Sequence, residues 1–152
     1  MSNNAKLQQK LKAHRLEQAA QIMKPARVLL AEDNSEIRCR LASALRKDGY
    51  QVLEAEDIQQ AFRHLHLWQK NRATEEAVDL IISDMGSERQ KSLAMLTALR
   101  QRDWAIPFIV VAPDGDPETR REARRLGAAA VFRRPFDMDD MRTAVLYLAP
   151  LN

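Results

Sequence analysis

Val28-Leu29-Leu30-Ala31-Glu32-Asp33 decides how the chain is read, because an apolar run of strand length stops on two acids. Leu80-Ile81-Ile82-Ser83-Asp84 repeats the pattern with one acid at its end. Short apolar runs of this kind are the mark of parallel strands covered on both faces. If the two runs lie side by side, Glu32, Asp33 and Asp84 meet at the carboxyl edge, where open α/β sheets take their ligands. Three acids in one place repel one another unless a cation joins them, and hard carboxylate oxygens suit Mg²⁺. The pattern points to a metal-assisted phosphoryl site. Acids at strand ends are common in any fold, so it is the company of the other two that singles out Asp84.

Outward from these runs, strand-type segments at 28–31, 51–54, 79–83, 108–111 and 129–132 alternate with helical patterns. The helical stretches cover 35–48, 57–72, 90–102, 116–126 and 137–149, the rhythm of βαβ units. Gly49 and Gly127 stand where helices end, as glycines just past a C-cap do. Asp116-Pro117 offers an N-cap followed by proline at the first helical position. Right-handed crossovers then give a doubly wound α/β fold, five parallel strands between layers of helices.

The length of 152 residues suits one domain with an adequate core. No apolar stretch reaches membrane-spanning length and the polar start lacks a signal-peptide core, so no membrane partner is expected. Cys39 is the single cysteine and cannot close an internal disulfide, which suits a reducing cytoplasm. The formal charge of +3 is uneven. Residues 1–25 form a basic arm, with Lys6, Lys10, Lys12, Arg15 and Lys24 against Glu17 alone. Residues 26–152, the domain itself, are nearly neutral, so overall basicity gives no argument for nucleic acid.

Within the arm, residues 6–23 have a helical pattern. Leu16, Ala19, Ala20 and Met23 follow one stripe, while Leu7 and Leu11 lie on a shifted one. Two readings stand: a solvated, partly frayed extension, or a helix for docking, dimerisation or an acidic surface. His64 and His66 are two residues apart and point in different directions on a helix, which makes them poor metal co-ligands.

Three segments together resemble the receiver domain of bacterial two-component response regulators. Val28-Leu29-Leu30-Ala31-Glu32-Asp33-Asn34 is similar to the family's first strand and acidic pair. Leu80-Ile81-Ile82-Ser83-Asp84-Met85 is similar to its third strand, ending at the phosphoacceptor. Gly127 through Phe136, with Arg133-Arg134-Pro135-Phe136 at its end, resembles the fifth strand and the basic-Pro-Phe turn. The resemblance spans about residues 26–149 and implies a flavodoxin-like sheet of order 2-1-3-4-5, with the arm as an extra N-terminal helix. It implies that Glu32, Asp33 and Asp84 hold Mg²⁺ with the backbone carbonyl of Gly86, and that Asp84 becomes an acyl phosphate. The physics agrees, because a carboxylate approaches a phosphoryl dianion only when bound charge offsets the repulsion.

The chain departs from the family pattern in several places. The switch position that carries Thr or Ser in the family is Ala112, with no hydroxyl to bond a phosphoryl oxygen. The family lysine before the cis-proline turn is Arg134, which keeps the charge on a larger fork. Its bland role is packing beside Pro135; its functional role is charge compensation for the three acids. The aromatic of the fifth strand that rotates in the family is Val131, a stiff β-branched residue. The loop after Asp84 also differs, with Glu88 for proline, Ser92 for glycine, and Ser87 offering a hydroxyl nearby.

Arg120, Arg121, Arg124 and Arg125 share one side of the helix over 116–126, with Glu118 and Glu122 spaced to pair with Arg121 and Arg125. A salt-bridged solvent face is the usual meaning of such a run. The resemblance implies a partner or homodimer surface here, extended by Arg133 and the fifth strand.

The leading function is a stand-alone receiver in a phosphorelay, taking a phosphoryl group from a histidine kinase or phosphotransfer protein and acting through protein contacts. The competing one is a phosphorylation-independent pseudo-receiver, an adaptor that binds partner proteins. An enzyme that hydrolyses phosphate esters fits worst, since no general acid and no covering domain stand out.

Overall fold

The five apolar runs form one all-parallel sheet in the order β2-β1-β3-β4-β5. The computed structural model describes residues 2–22, 25–70, 78–84, 89–102, 105–112 and 116–151. In chain order the elements are α1 (Asn3–Ile22), β1 (Arg27–Ala31), α2 (Ser35–Lys47), β2 (Gln51–Ala55) and α3 (Ile58–Lys70). There follow β3 (Leu80–Asp84), α4 (Arg89–Gln101), β4 (Phe108–Ala112), α5 (Pro117–Arg125), β5 (Ala130–Arg133) and α6 (Met138–Leu148). The doubly wound fold and its strand order are as the sequence implied.

Strand alternation divides the core in two. Leu29, Ile81, Phe108 and Val110 face α3, α4 and α5, where Leu65, Met95, Leu96, Leu99 and Ala123 cover them. Val28, Leu30, Leu80, Ile82, Ile109 and Val111 face α2 and α6, against Leu41, Leu45, Met141 and Val145. Truncating one of these buried leucines or isoleucines to alanine costs about 2–5 kcal/mol by lost transfer energy and the cavity left behind.

Caps fix where helices start and stop. Asn34, Asp116 and Asp137 accept from main-chain N–H groups in the first turns of α2, α5 and α6. Gly49 and Gly127 have φ of 107° and 90°, so the chain leaves α2 and α5 through left-handed turns that disfavour side chains.

Register is what builds the site. Ala31 lies opposite Ser83, which brings the next residues, Glu32 and Asp84, alongside each other. Asp84 pairs with Val111, and Ala112 with Arg133, so Arg134 follows at the same edge. Asp84 is thus the last residue of β3, one place further than the 79–83 span read from sequence, because the ladder to β4 includes it.

The basic arm is helical over Asn3–Ile22, starting three residues before the expected stretch. Leu7, Leu11 and Leu16 are 54%, 44% and 63% exposed, so these three leucines are not buried against the domain. Ala19, Ala20 and Met23 lie outside the residues whose side chains are described.

Candidate active site at the carboxyl edge

Glu32 leaves β1 directly into a turn that buries its side chain to 3% exposure. Its backbone N–H donates to the Ala55 carbonyl at 3.0 Å, and its Oε1 accepts from the Asn34 N–H at 3.0 Å. Arg38, one turn into α2, donates through Nη1 to the Glu32 carbonyl at 2.8 Å. The same guanidinium pairs with Glu54 of β2 at 3.5 Å and sits 3.9 Å from Glu56. Glu32 is therefore held by its backbone on both sides.

Asp84 shares its depth, with a side chain only 3% exposed. Arg134 comes from the turn after β5, where its N–H donates to the Ala112 carbonyl at 3.3 Å and its peptide bond to Pro135 is cis. Its Nε donates to Asp84 Oδ2 at 2.7 Å, and its Nη2 closes on the same oxygen. Nη2 also lies 3.4 Å from both Oε1 and Oε2 of Glu32. One guanidinium thus spans two buried carboxylates. Asp33 is exposed, acting on Arg134 through its charge alone.

The charge balance of the cluster appears in its acidities. Burial first, then a hydrogen bond shared with Asp84, pushes the Glu32 carboxyl up to about 8, with the Asn34 N–H opposing. Burial beside Asp84 thus favours the protonated form of Glu32 when no cation is bound. Burial works against the Arg134 guanidinium, but its bond to Asp84 and the charges of Asp84, Glu32 and Asp33 hold it above its ordinary value.

The donor chemistry suits a hard divalent cation, since Glu32 lies within hydrogen-bonding reach of both Asp33 and Asp84. The donors are not preassembled: among the described residues no three acids form a ready metal-holding group. Arg134 lies between two of them. Gly86, Ser87 and Glu88 fall outside the described residues, as does the carbonyl assigned to the metal.

The altered positions are buried to different depths. Ala112 is 1% exposed at the end of β4, and its methyl group carries no hydroxyl. Val131 is half-buried against the core under α3, α4 and α5. Its neighbour Phe132 meets Phe136 edge-on at 6.0 Å on the other face.

Two features escaped the sequence. Arg38 gave no signal beyond helical spacing, because its partner is a main-chain carbonyl. Ser83 and Ser92, both fully buried, share a hydroxyl hydrogen bond of 2.9 Å that ties the strand of Asp84 to α4. In the sequence Ser92 reads only as a replacement for glycine. On α5, Arg125 pairs with Glu122 as expected, at 3.0 and 2.5 Å. Arg121 instead donates through Nε to the Pro117 carbonyl one turn back, at 3.3 Å, rather than to Glu118.

Residues 28–146 match the family model described as the response regulator receiver domain. The sporulation initiation phosphotransferase F of Bacillus subtilis is 30% identical over 126 residues, which is 83% of this chain and 95% of that protein. The transcriptional regulatory protein PdtaR of Mycobacterium tuberculosis is 31% identical over 80% of this chain, but this chain spans only 55% of PdtaR. The crystal structure of the chemotaxis response regulator CheY4 of Vibrio cholerae superposes with a TM-score of 0.67 at 25% identity, covering 82% of this chain and 98% of that one. An all-parallel 2-1-3-4-5 sheet with acids at its switch point defines a receiver module of two-component signalling. The chain belongs to the response regulator receiver domain family. Among the described residues no helix is long and apolar enough to cross a membrane.

Proposed function

We propose that Asp84 is the phosphoryl acceptor of this receiver, with residues 26–152 as the receiver unit and residues 1–25 as a basic arm. The observation that carries the reading is Asp84 at the end of β3, buried beside Glu32 and capped by the Arg134 guanidinium. A Mg²⁺ ion would be held by Glu32, Asp33, Asp84 and the Gly86 carbonyl, and when bound it supplies positive charge against an incoming phosphoryl group. An Asp84 carboxylate oxygen bonds to phosphorus as the donor's own bond to phosphorus breaks, and the donor keeps that electron pair. Hydrolysis of the acyl phosphate returns the carboxylate. The donor is a histidine kinase or a phosphotransfer protein, and the setting is the cytoplasm, in keeping with the free thiol of Cys39. A downstream protein, or a second copy of the chain, docks on the face of α5 and β5, where Arg121, Arg124 and Arg133 are exposed.

A second reading has its own observation. Ala112 and Val131 are buried or half-buried, with neither a hydroxyl nor a ring to respond to phosphate. This favours an adaptor that binds partners without phosphorylation. Intact-protein mass after incubation with a small-molecule phosphodonor and Mg²⁺ separates the two. The receiver gains one phosphoryl group that Asp84→Asn does not; no gain from either the small donor or a panel of kinases leaves the adaptor.

A further inference from the structure

We infer that Arg134 is an internal competitor for the divalent cation, so that metal enters the acid cluster only as its guanidinium leaves. The inference rests on the reading of Glu32, Asp33 and Asp84 as metal ligands and adds how this chain regulates them.

The geometry is specific. Nε and Nη2 of Arg134 both lie on a single oxygen of Asp84, and Nη2 reaches toward both oxygens of Glu32. Nη2 thereby occupies the space between the two carboxylates that a shared cation would use. Mg²⁺ holds its oxygens at about 2.0–2.1 Å and demands near-octahedral room around it, which a guanidinium on the same oxygens denies. The two cations also repel each other at that range. A compact ammonium at this position would meet one oxygen at a time, whereas the planar fork covers an edge of the cluster.

The guanidinium has a way out. Its side chain is 31% exposed while both carboxylates are 3% exposed, so it covers the cluster from the solvent side. Its backbone is anchored by the N–H bond to the Ala112 carbonyl, so the side chain can turn without moving β5. Release uncovers Glu32 and Asp84 next to Asp33, which is already exposed. Binding of metal and pairing of Arg134 are then linked, and each weakens the other by the same factor.

Two measurements on the full chain test this. Calorimetric titration with Mg²⁺, and with Mn²⁺ as a second probe, compares wild type with Arg134→Ala; the variant binds tighter by about 5- to 150-fold, the usual span of coupling between sites. NMR of wild type follows the arginine Nε–H signal that disappears in Arg134→Lys. In metal-free protein it is shifted by its bond to Asp84, and it moves to the position of a free arginine as metal saturates. Equal affinity in both proteins, or an unmoved Nε–H signal at saturation, overturns the competition while leaving the metal site standing. Failure of both proteins to bind either metal overturns the competition and the metal site together. The NMR result on wild type stands even where the alanine variant folds poorly.

Discussion

Arginines close on carboxylates at both ends of α2: Arg134 on Asp84 and Glu32 beside its start, Arg142 on Asp48 at its end. At the far end Arg142 meets both Asp48 oxygens, at 2.7 and 2.5 Å, and also reaches Asp139 at 3.1 Å. Those side chains are 42% and 24% exposed, so water shares the work. At the near end the carboxylates are 3% exposed, and one arginine faces two buried acids with a third close by. The Arg142 contact is a solvent-screened clamp between α2 and α6. The Arg134 contact is buried, so its carboxylates have little water to share their charge. Fold maintenance and signalling use the same pair of residue types, and burial decides which is which.

The largest effect comes from breaking the buried pair. Arg134→Met removes the arginine bond to buried Asp84 and should cost about 3 kcal/mol at pH 8, the low end for a severed buried pair because the guanidinium is partly exposed. Urea unfolding reads this, and a wild-type midpoint in the variant would place Arg134 among ordinary surface arginines.

Second in size is a pH dependence of opposite sign at the two ends. The Glu32 carboxyl is raised from 4.5 to about 8, by burial first and then by Asp84. Between those values the folded protein holds a proton that the unfolded chain has lost, so metal-free stability falls as pH rises across that window. Glu32→Gln should flatten the decline, and an equal decline in the variant would assign it elsewhere. Asp48 behaves in reverse. Its hydrogen bond to Arg142 holds it below the usual carboxylate range, burial opposing, so its contribution is complete at neutral pH and lost on acidification through the lowered value.

The hydroxyl pair below the site gives a third test. Ser83→Ala strands the buried Ser92 hydroxyl and should cost about 1–3 kcal/mol, whereas the double alanine variant should cost less than two singles combined. Additive losses would show that the two hydroxyls do not depend on each other. The smallest effect belongs to Asp48→Asn, which keeps the backbone cap of α2 and removes only a solvent-screened charge. A loss as large as that of Arg134→Met would erase the contrast between the two ends.

Much of this was legible in the chain. Apolar runs such as Leu80-Ile81-Ile82 admit few roles besides buried parallel strands, and Gly49, Gly127 and Asp116-Pro117 mark turns that only certain residues make. The three acids were legible because each follows such a run. Contacts between elements were less so. The Ser83–Ser92 bond depends on how α4 sits over β3, and the Arg38 bond to the Glu32 carbonyl involves a main-chain atom that carries no sequence signature. Glu118 and Arg121 had the right spacing but not the pairing, because helical spacing sets reach and the local competition among acceptors sets the partner. The role of Arg134 was half legible: its charge was written in the sequence, its span across two carboxylates was not.

The most direct test of the account is the unfolding midpoint of wild type at pH 8 as Mg²⁺ is raised, beside Asp33→Asn and Asp84→Asn. If the edge stores charge for a cation, the wild-type midpoint climbs with Mg²⁺ and its decline between pH 5 and 8 vanishes, while both variants respond weakly. A midpoint that ignores Mg²⁺, or climbs equally in all three proteins, contradicts it.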